Sequence, residues 1–231
     1  MAIRPSGILH IGAHEAEEYE MYRKLNWGHI TWIEAQEDLA KKIFQKLPAA
    51  SNTVINAAVW DKSGIRMKLN VANNSQSTSL LGFGTHGRNY PSIHFNKEVE
   101  IHTKRVDELF DSLHGINFVN LDIQGAEGRA LRGFGNLLHQ VDYLYTEVNK
   151  EYVYEGCDLV SDLDLYLKDF GLKRVITRWV PRKGWGDAMY VRNSSGLRAI
   201  GVKIYFSISN IYFASFEYLH LLLAKLRSLS S

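Results

Sequence analysis

The chain has 231 residues, 45% of them hydrophobic and 23% charged, a globular composition that excludes a disordered chain. That length suits one domain with an appendage, or two small ones, and buries a core that needs no disulfide staples. Lysine plus arginine is 27 and aspartate plus glutamate 25, a net charge of +2, too even to point to a nucleic-acid partner, and none is expected.

Residues 8–193 read as strand and helix in alternation. Ile8–Ile11 is a short apolar run closed by Gly12, and a helix is predicted over Glu15–Leu25. Ile30–Ile33 is a second strand ending at Glu34, and Leu39, Ile43, Phe44 and Leu47 form a helical stripe before Pro48. Thr53–Trp60 is a third strand, followed after the Asp61-Lys62-Ser63-Gly64 turn by Ile65–Val71. Asn73–Asn96, with three glycines and many serines and asparagines, reads as a long loop of the kind that covers a binding site. Beyond it come strands at Val99–Val106, Ile116–Ile123 and Val141–Val148, helices at Val106–Leu113, Ala126–Gln140 and Ser161–Phe170, and a hairpin of Leu172–Val180 with Asp187–Arg192. Such alternation predicts an α/β domain whose sheet is mostly parallel and covered on both faces.

The boundary is placed at 195, with residues 196–231 a hydrophobic C-terminal tail. From Ile204 to Ala224 its only charged side chain is Glu217, but Ser207, Ser209, Asn210 and Ser215 interrupt the apolar run. Packing on the domain or on a second copy in a homodimer is the first expectation, and contact with a membrane surface the alternative. Met1-Ala2-Ile3-Arg4-Pro5 lacks the apolar stretch of a secretory signal, and Cys157 is the lone cysteine; a cytoplasmic location is expected, membrane-associated if the tail anchors it.

Ligands of open parallel sheets sit beyond the carboxyl ends of the strands, where His10-Ile11-Gly12-Ala13-His14-Glu15 falls. The dinucleotide fingerprint needs three glycines, and here His14 and Glu17 hold the second and third places. Glu15, Glu17 and Glu18 would crowd a helix start and repel a pyrophosphate. A cationic ligand without phosphate, such as S-adenosylmethionine, suits the loop better. Glu34, 22 residues beyond Gly12 (34 − 12), is placed to accept two ribose hydroxyls, or else is an ordinary neighbour of the next helix cap.

Together with these residues, Trp32-Ile33-Glu34-Ala35, Asn56-Ala57-Ala58-Val59, Ser77-Thr78-Ser79-Leu80-Leu81, Thr103–Leu109 and above all Asn120-Leu121-Asp122-Ile123-Gln124-Gly125-Ala126-Glu127 resemble the FkbM-type family of S-adenosylmethionine-dependent methyltransferases. The resemblance implies a seven-stranded Rossmann-like methyltransferase sheet ending in an antiparallel hairpin. It puts His10, Gly12, Ala13 and His14 at the methionine end of the cofactor, Glu34 and Ala35 at the ribose, Asn56 and Ala57 at the adenine, and Asp122 and Gln124 near the reacting methyl. It further implies O-methylation of a sugar, glycoconjugate or natural-product hydroxyl. Two positions depart from the family: His10 stands where it has Asp, and Asn120 where it has Lys.

A hydroxyl is a poor nucleophile and needs a base; Asp122 is the first candidate, with Glu147 and His86 behind it. Glu127 reads as a helix-start carboxylate or as a cleft residue. Asp122 with Glu147 is also an oxygen pair of the sort that takes Mg²⁺, though paired carboxylates commonly stand without a metal and none is expected. Trp179, Arg182, Lys183 and Trp185 could stack on an acceptor or simply decorate the hairpin. The rival readings are a fold-retaining protein that binds cofactor or glycan without turnover, and, further off, a nicotinamide-dependent oxidoreductase.

Overall fold

The computed structural model describes residues 5–192, so the expected tail at 196–231 and its membrane or dimer contacts lie outside the described residues. β1 (Gly7–Ile11) is buried at every position, as is β7 (Phe118–Leu121). Such strands read as continuous apolar runs because helices cover both faces of a parallel sheet. β2 (His29–Glu34) and β3 (Asn52–Asn56) extend the sheet on one side; β8 (Tyr143–Asn149), β10 (Trp185–Arg192) and β9 (Leu172–Trp179) extend it on the other. The order is β3-β2-β1-β7-β8-β10-β9. β10 runs antiparallel to both of its neighbours, and the other pairs are parallel. This is the seven-stranded sheet with a terminal hairpin that the resemblance implies, and the chain's switch point falls between β1 and β7.

α1 (Tyr19–Lys24), α2 (Glu37–Lys46), α5 (Glu127–Gly133) and α6 (Val160–Lys168) link the main strands. Their apolar sides close a core built of Leu9, Ile11, Val119, Leu121, Phe134, Leu138 and Leu144, all essentially inaccessible. A small second sheet, β4-β6-β5, joins β4 (Ala58–Val59), β6 (Phe95–Lys104) and β5 (Arg66–Ala72).

Several elements differ from the sequence reading, each for a local reason. The first helix starts at Tyr19 and not at Glu15. Residues 14–18 turn instead, with His14 and Ala16 at φ 45° and 56°. The Glu17 carboxylate accepts from the Glu15 amide and pairs with the His14 ring, and such side-chain bonds compete with helix formation. The third strand breaks at Ala57, because the Asn56 amide donates to the carbonyls of Glu34 and Ala35 and the chain then leaves for the small sheet. Phe44 lies one step off the α2 stripe and is 68% exposed. The predicted Ala126–Gln140 helix ends at Gly133 and continues as a 3₁₀ turn over Gly135–Gln140. The expected loop at 73–96 holds the short helix α3 (Thr85–Asn89), and β6 begins inside it, at Phe95.

The two departures from the family pattern are neighbours. His10 and Asn120 face each other across β1 and β7. The Asn120 amide donates to the Tyr22 hydroxyl at 2.7 Å, and that hydroxyl meets His10 Nδ1 at 3.2 Å. His10 also stacks on Trp32. Burial lowers the His10 imidazole to about 4, and the charge of Glu17 does not restore it. The His10–Tyr22–Asn120 set is therefore neutral, and neither His10 nor Asn120 lines the cleft described below. Glu18 lies 4.0 Å from His10 Nδ1, and burial raises its carboxyl to about 7; below that pH we expect Asn120→Lys alone to destabilise the fold by about 3–5 kcal/mol, since it buries an ammonium beside a protonated acid. Adding His10→Asp should return most of that loss in a denaturant titration; a single variant as stable as the parent would show that the site accepts a lone cation.

Candidate active site

The carboxyl ends of β1, β2 and β7 converge on one cleft that opens to solvent, the place where open parallel sheets bind their ligands. Gly12 makes the convergence geometrically available. Its φ is +86°, and a Cβ there would lie 1.7 Å from the Asp122 carbonyl oxygen, so only glycine lets the first loop pass over β7. The amides of Gly12 and Ala13 both donate to the Ile33 carbonyl, and the Asp122 amide donates to the Ile11 carbonyl. These bonds lace the three strand ends together.

Glu34 is 6% exposed. Its Oε2 accepts from the His14 amide and its Oε1 from the Gln36 amide, both at 2.8 Å. Burial raises this carboxyl above the usual range, and the two amides counter it. Each oxygen keeps a further lone pair for a ligand. His14 closes the opposite side: Nδ1 meets Glu17 at 2.7 Å and Nε2 meets Ser75 Oγ at 2.8 Å. Burial alone would lower this imidazole, but the bond to Glu17 and the charges of Glu17, Glu15 and Glu34 outweigh it and hold the ring above its ordinary value.

Asp122 follows β7 and faces the cleft, solvent-exposed. Its surroundings push the carboxyl upward through loss of solvation, with the Gln124 hydrogen bond opposing. Because the open cleft still admits water, that push acts fully only when a ligand covers the carboxylate. Gln124 Nε2 donates to Asp122 Oδ1 at 2.6 Å. The rest of the wall includes Ala35, Gln36, Ala57, Val59 and, from the segment between β5 and β6, Ser75, Gln76, Thr78, Ser79 and Leu80.

Of the candidate residues, the structure brings Gly12, His14, Glu34, Ala35, Ala57, Asp122 and Gln124 to this cleft. It does not bring His10, Ala13, Asn56, His86 or Glu147 to its wall. His10 lies in the core, and Ala13 and Asn56 act through backbone contacts that hold the Glu34 corner. His86 is no solvated loop residue: it is buried, stacked on Phe83, with Nε2 3.3 Å from Ser77 Oγ, and burial with the Lys183 charge lowers it to about 4. Glu147 is buried with Oε1 unpartnered; desolvation and the charges of Glu127, Asp122 and Asp187 raise it well above the carboxylate range. Glu147 is thus not among the residues that line the cleft. No group of three or more His, Cys, Asp or Glu placed to hold a metal occurs among the described residues, and no described helix is long and apolar enough to cross a membrane. The sequence reading missed the contribution of Ser75 and Gln76; the serine-rich composition of their segment was its only signal.

The residues fit one kind of cofactor. Among the lining residues stand the carboxylates Glu34 and Asp122 and no lysine or arginine, so the cleft repels a pyrophosphate and attracts a cation. The acidic turn at 15–18 adds to this through its side chains; α1 starts too late and has too few residues for a dipole argument.

Residues 10–173 match the Methyltransferase FkbM domain. The 2-O-methyltransferase NoeI of Sinorhizobium fredii is 28% identical over 109 residues, 46% of this chain and 39% of that protein, so the chain spans about two fifths of the curated relative's length. Among solved structures, M. capricolum TrmK in complex with S-adenosyl-homocysteine is 12% identical, with a TM-score of 0.45 over 98% of this chain and 82% of its own. A SAM-dependent methyltransferase from Aquifex aeolicus is 11% identical, with a TM-score of 0.42 over 82% of this chain and 84% of its own.

Buried acids near the cleft set a pH dependence, and Glu127 is one of them. Glu127 is 2% exposed, and its Oε1 accepts from the Ile123 and Gly125 amides. Desolvation, then the charge of Asp122, raises it to about 8. The folded state therefore holds a proton that the unfolded chain releases near 4.5, and its stability falls as pH rises from there to about 8. Glu127→Gln keeps the acceptor oxygen and removes that titration, so the decline in thermal midpoint over that interval should become shallower, the remainder belonging to Glu18 and Glu147, which burial also raises. An equally steep decline in the variant would place its cause elsewhere.

Proposed function

The chain belongs to the FkbM methyltransferase family, and on that premise we propose that it is an S-adenosylmethionine-dependent O-methyltransferase acting on the hydroxyl of a sugar, glycoconjugate or natural product. The observation that carries this reading is a cleft at the switch point, lined by two carboxylates and no basic side chain other than His14. The 2-O-methyltransferase in the relative's name supports a hydroxyl acceptor.

When bound, S-adenosylmethionine supplies a methyl group activated on a sulfonium sulfur. The residues divide the remaining work. Glu34 would accept from the ribose hydroxyls with the lone pairs that its backbone amides leave free. Ala57 and Val59 offer an apolar wall for the purine. Gly12 lets the first loop come close to the methionine part, and Asp122 with Gln124 stands at the reacting end. There the Asp122 carboxylate holds the acceptor hydroxyl and accepts its proton, a role that desolvation strengthens by raising the carboxylate's basicity. The occupied cleft, walled by Ser75–Leu80, keeps bulk water from competing with the acceptor.

Calorimetric titration with S-adenosylmethionine and with NAD⁺, followed by transfer of labelled methyl to a panel of glycans and hydroxylated natural products, tests the reading. We expect binding of the sulfonium nucleoside, no binding of the dinucleotide, and transfer to at least one hydroxyl. Binding of the dinucleotide alone, or transfer only to nitrogen or carbon acceptors, would overturn it. Glu34→Ala should weaken nucleoside binding by about 1–3 kcal/mol, about 5- to 150-fold, and an unchanged affinity would remove Glu34 from the ribose site. Asp122→Asn should fold normally and lose transfer, and a variant at parental rate would reject the carboxylate as base.

A further inference from the structure

We propose that Tyr154, which does not line the cleft, is a positioning residue for the reaction: through the Gln124 side chain it fixes the Asp122 carboxylate toward the acceptor. The inference rests on the reading of Asp122 given above and adds the group that orients it. Tyr154 donates its hydroxyl to Gln124 Oε1 at 2.6 Å, and Gln124 Nε2 donates to Asp122 Oδ1 at 2.6 Å. The two bonds fix the amide's direction, because its acceptor end meets a hydroxyl and its donor end a carboxylate. A carboxylate just past a strand end has rotamer freedom; this chain removes it.

The surroundings show that the arrangement is built. Gln124 sits at φ 55°, a left-handed conformation unusual for a residue with a side chain. Its carbonyl is held there by Ser79 Oγ at 2.7 Å. Strain of this sort persists only where neighbours impose it, and it concentrates at functional sites. Gly125 comes next, where a Cβ would lie 2.6 Å from Tyr154 Cβ and 2.7 Å from its ring, so the turn gives up a side chain to seat the tyrosine. The ring itself is inaccessible, flanked by Phe83 and His86 and tied by the Phe83–Tyr154 bridge. A phenol this deeply buried stays protonated, since desolvation and the charges of Glu147, Asp122 and Glu127 all oppose its ionisation. It is a permanent donor. The donor chain stabilises the Asp122 anion, so breaking it should leave the carboxyl both loose and easier to protonate.

Tyr154→Phe keeps the ring and its packing and removes only the hydroxyl. We expect kcat to fall about tenfold to a hundredfold, KM for S-adenosylmethionine to stay within about twofold, and the acid limb of the kcat/KM profile to move to higher pH. Gln124→Met should behave alike, and the double variant should be no worse than Gln124→Met, since both substitutions break one chain. The Asp122 carboxyl titration, followed by carbon NMR in both proteins, reads the same coupling without turnover and should move upward in Tyr154→Phe. Additive losses, an unmoved acid limb and an unmoved titration would reduce Tyr154 to a packing residue and overturn the proposal. A parent protein that binds the nucleoside but transfers no methyl to any hydroxyl would defeat the functional reading instead, with the titration still deciding the Tyr154–Gln124–Asp122 linkage.

Discussion

The approach of Gly12 to the Asp122 carbonyl is the constraint on which the rest depends. Any side chain at residue 12 would collide with main-chain atoms of the β7 end, which have nowhere to go. Without that contact the first loop would ride higher, and its two amide bonds to Ile33 would not form. Three strand ends, two of them carrying a carboxylate just at or past their last residue, share one small volume because one residue has no Cβ. The parallel core beneath supplies the rigidity, and the glycine supplies the proximity.

Electrostatics then select what fills that volume. Glu34 is held by two backbone amides and Asp122 by one side-chain amide, so both carboxylates are oriented without being neutralised by a cation. The nearest basic group, His14, is paired with Glu17 and Ser75 rather than pointed at either acid as a salt bridge. Oriented, uncompensated negative charge in a partly enclosed site favours a positively charged ligand, and the favour grows as solvent leaves. Behind the wall, Glu127 and Glu147 sit in a drier place and keep their protons, which limits the repulsion that four nearby acids would otherwise create.

Much of this was legible in the sequence because its cause is local. The runs at 8–11, 30–33 and 116–123 read as strands of a mostly parallel sheet, and the Gly12-to-Glu34 spacing marks two walls of the cleft. What could not be read is set by contacts across the fold. Nothing in the local sequence says that Phe83 and Tyr154 bury His86, or that the whole end of β8, from Thr146 to Asn149, is buried with Glu147 in it. Tyr154 carries no motif at all; its place is fixed by a turn 30 residues earlier that omits a side chain. The start of α1 was misplaced because the acids at 15–18 bond with His14 and the local backbone before they can serve a helix. His10 and Asn120 read as two separate departures from the resemblance, and only their cross-strand register shows that they share one neutral cluster with Tyr22.

The segment between β5 and β6 is fastened on both flanks. Ser75 meets His14 on the nucleoside side, while Asn89 exchanges hydrogen bonds with Lys183, at 3.0 and 2.7 Å, on the hairpin side. Its middle is fastened too: Ser79 exchanges backbone bonds with Asn70 and holds the Gln124 carbonyl, and Phe83 bridges to Tyr154. A stretch transplanted here from a relative would therefore drag Gln124 and Tyr154 with it, so such a graft has to carry those two partners along.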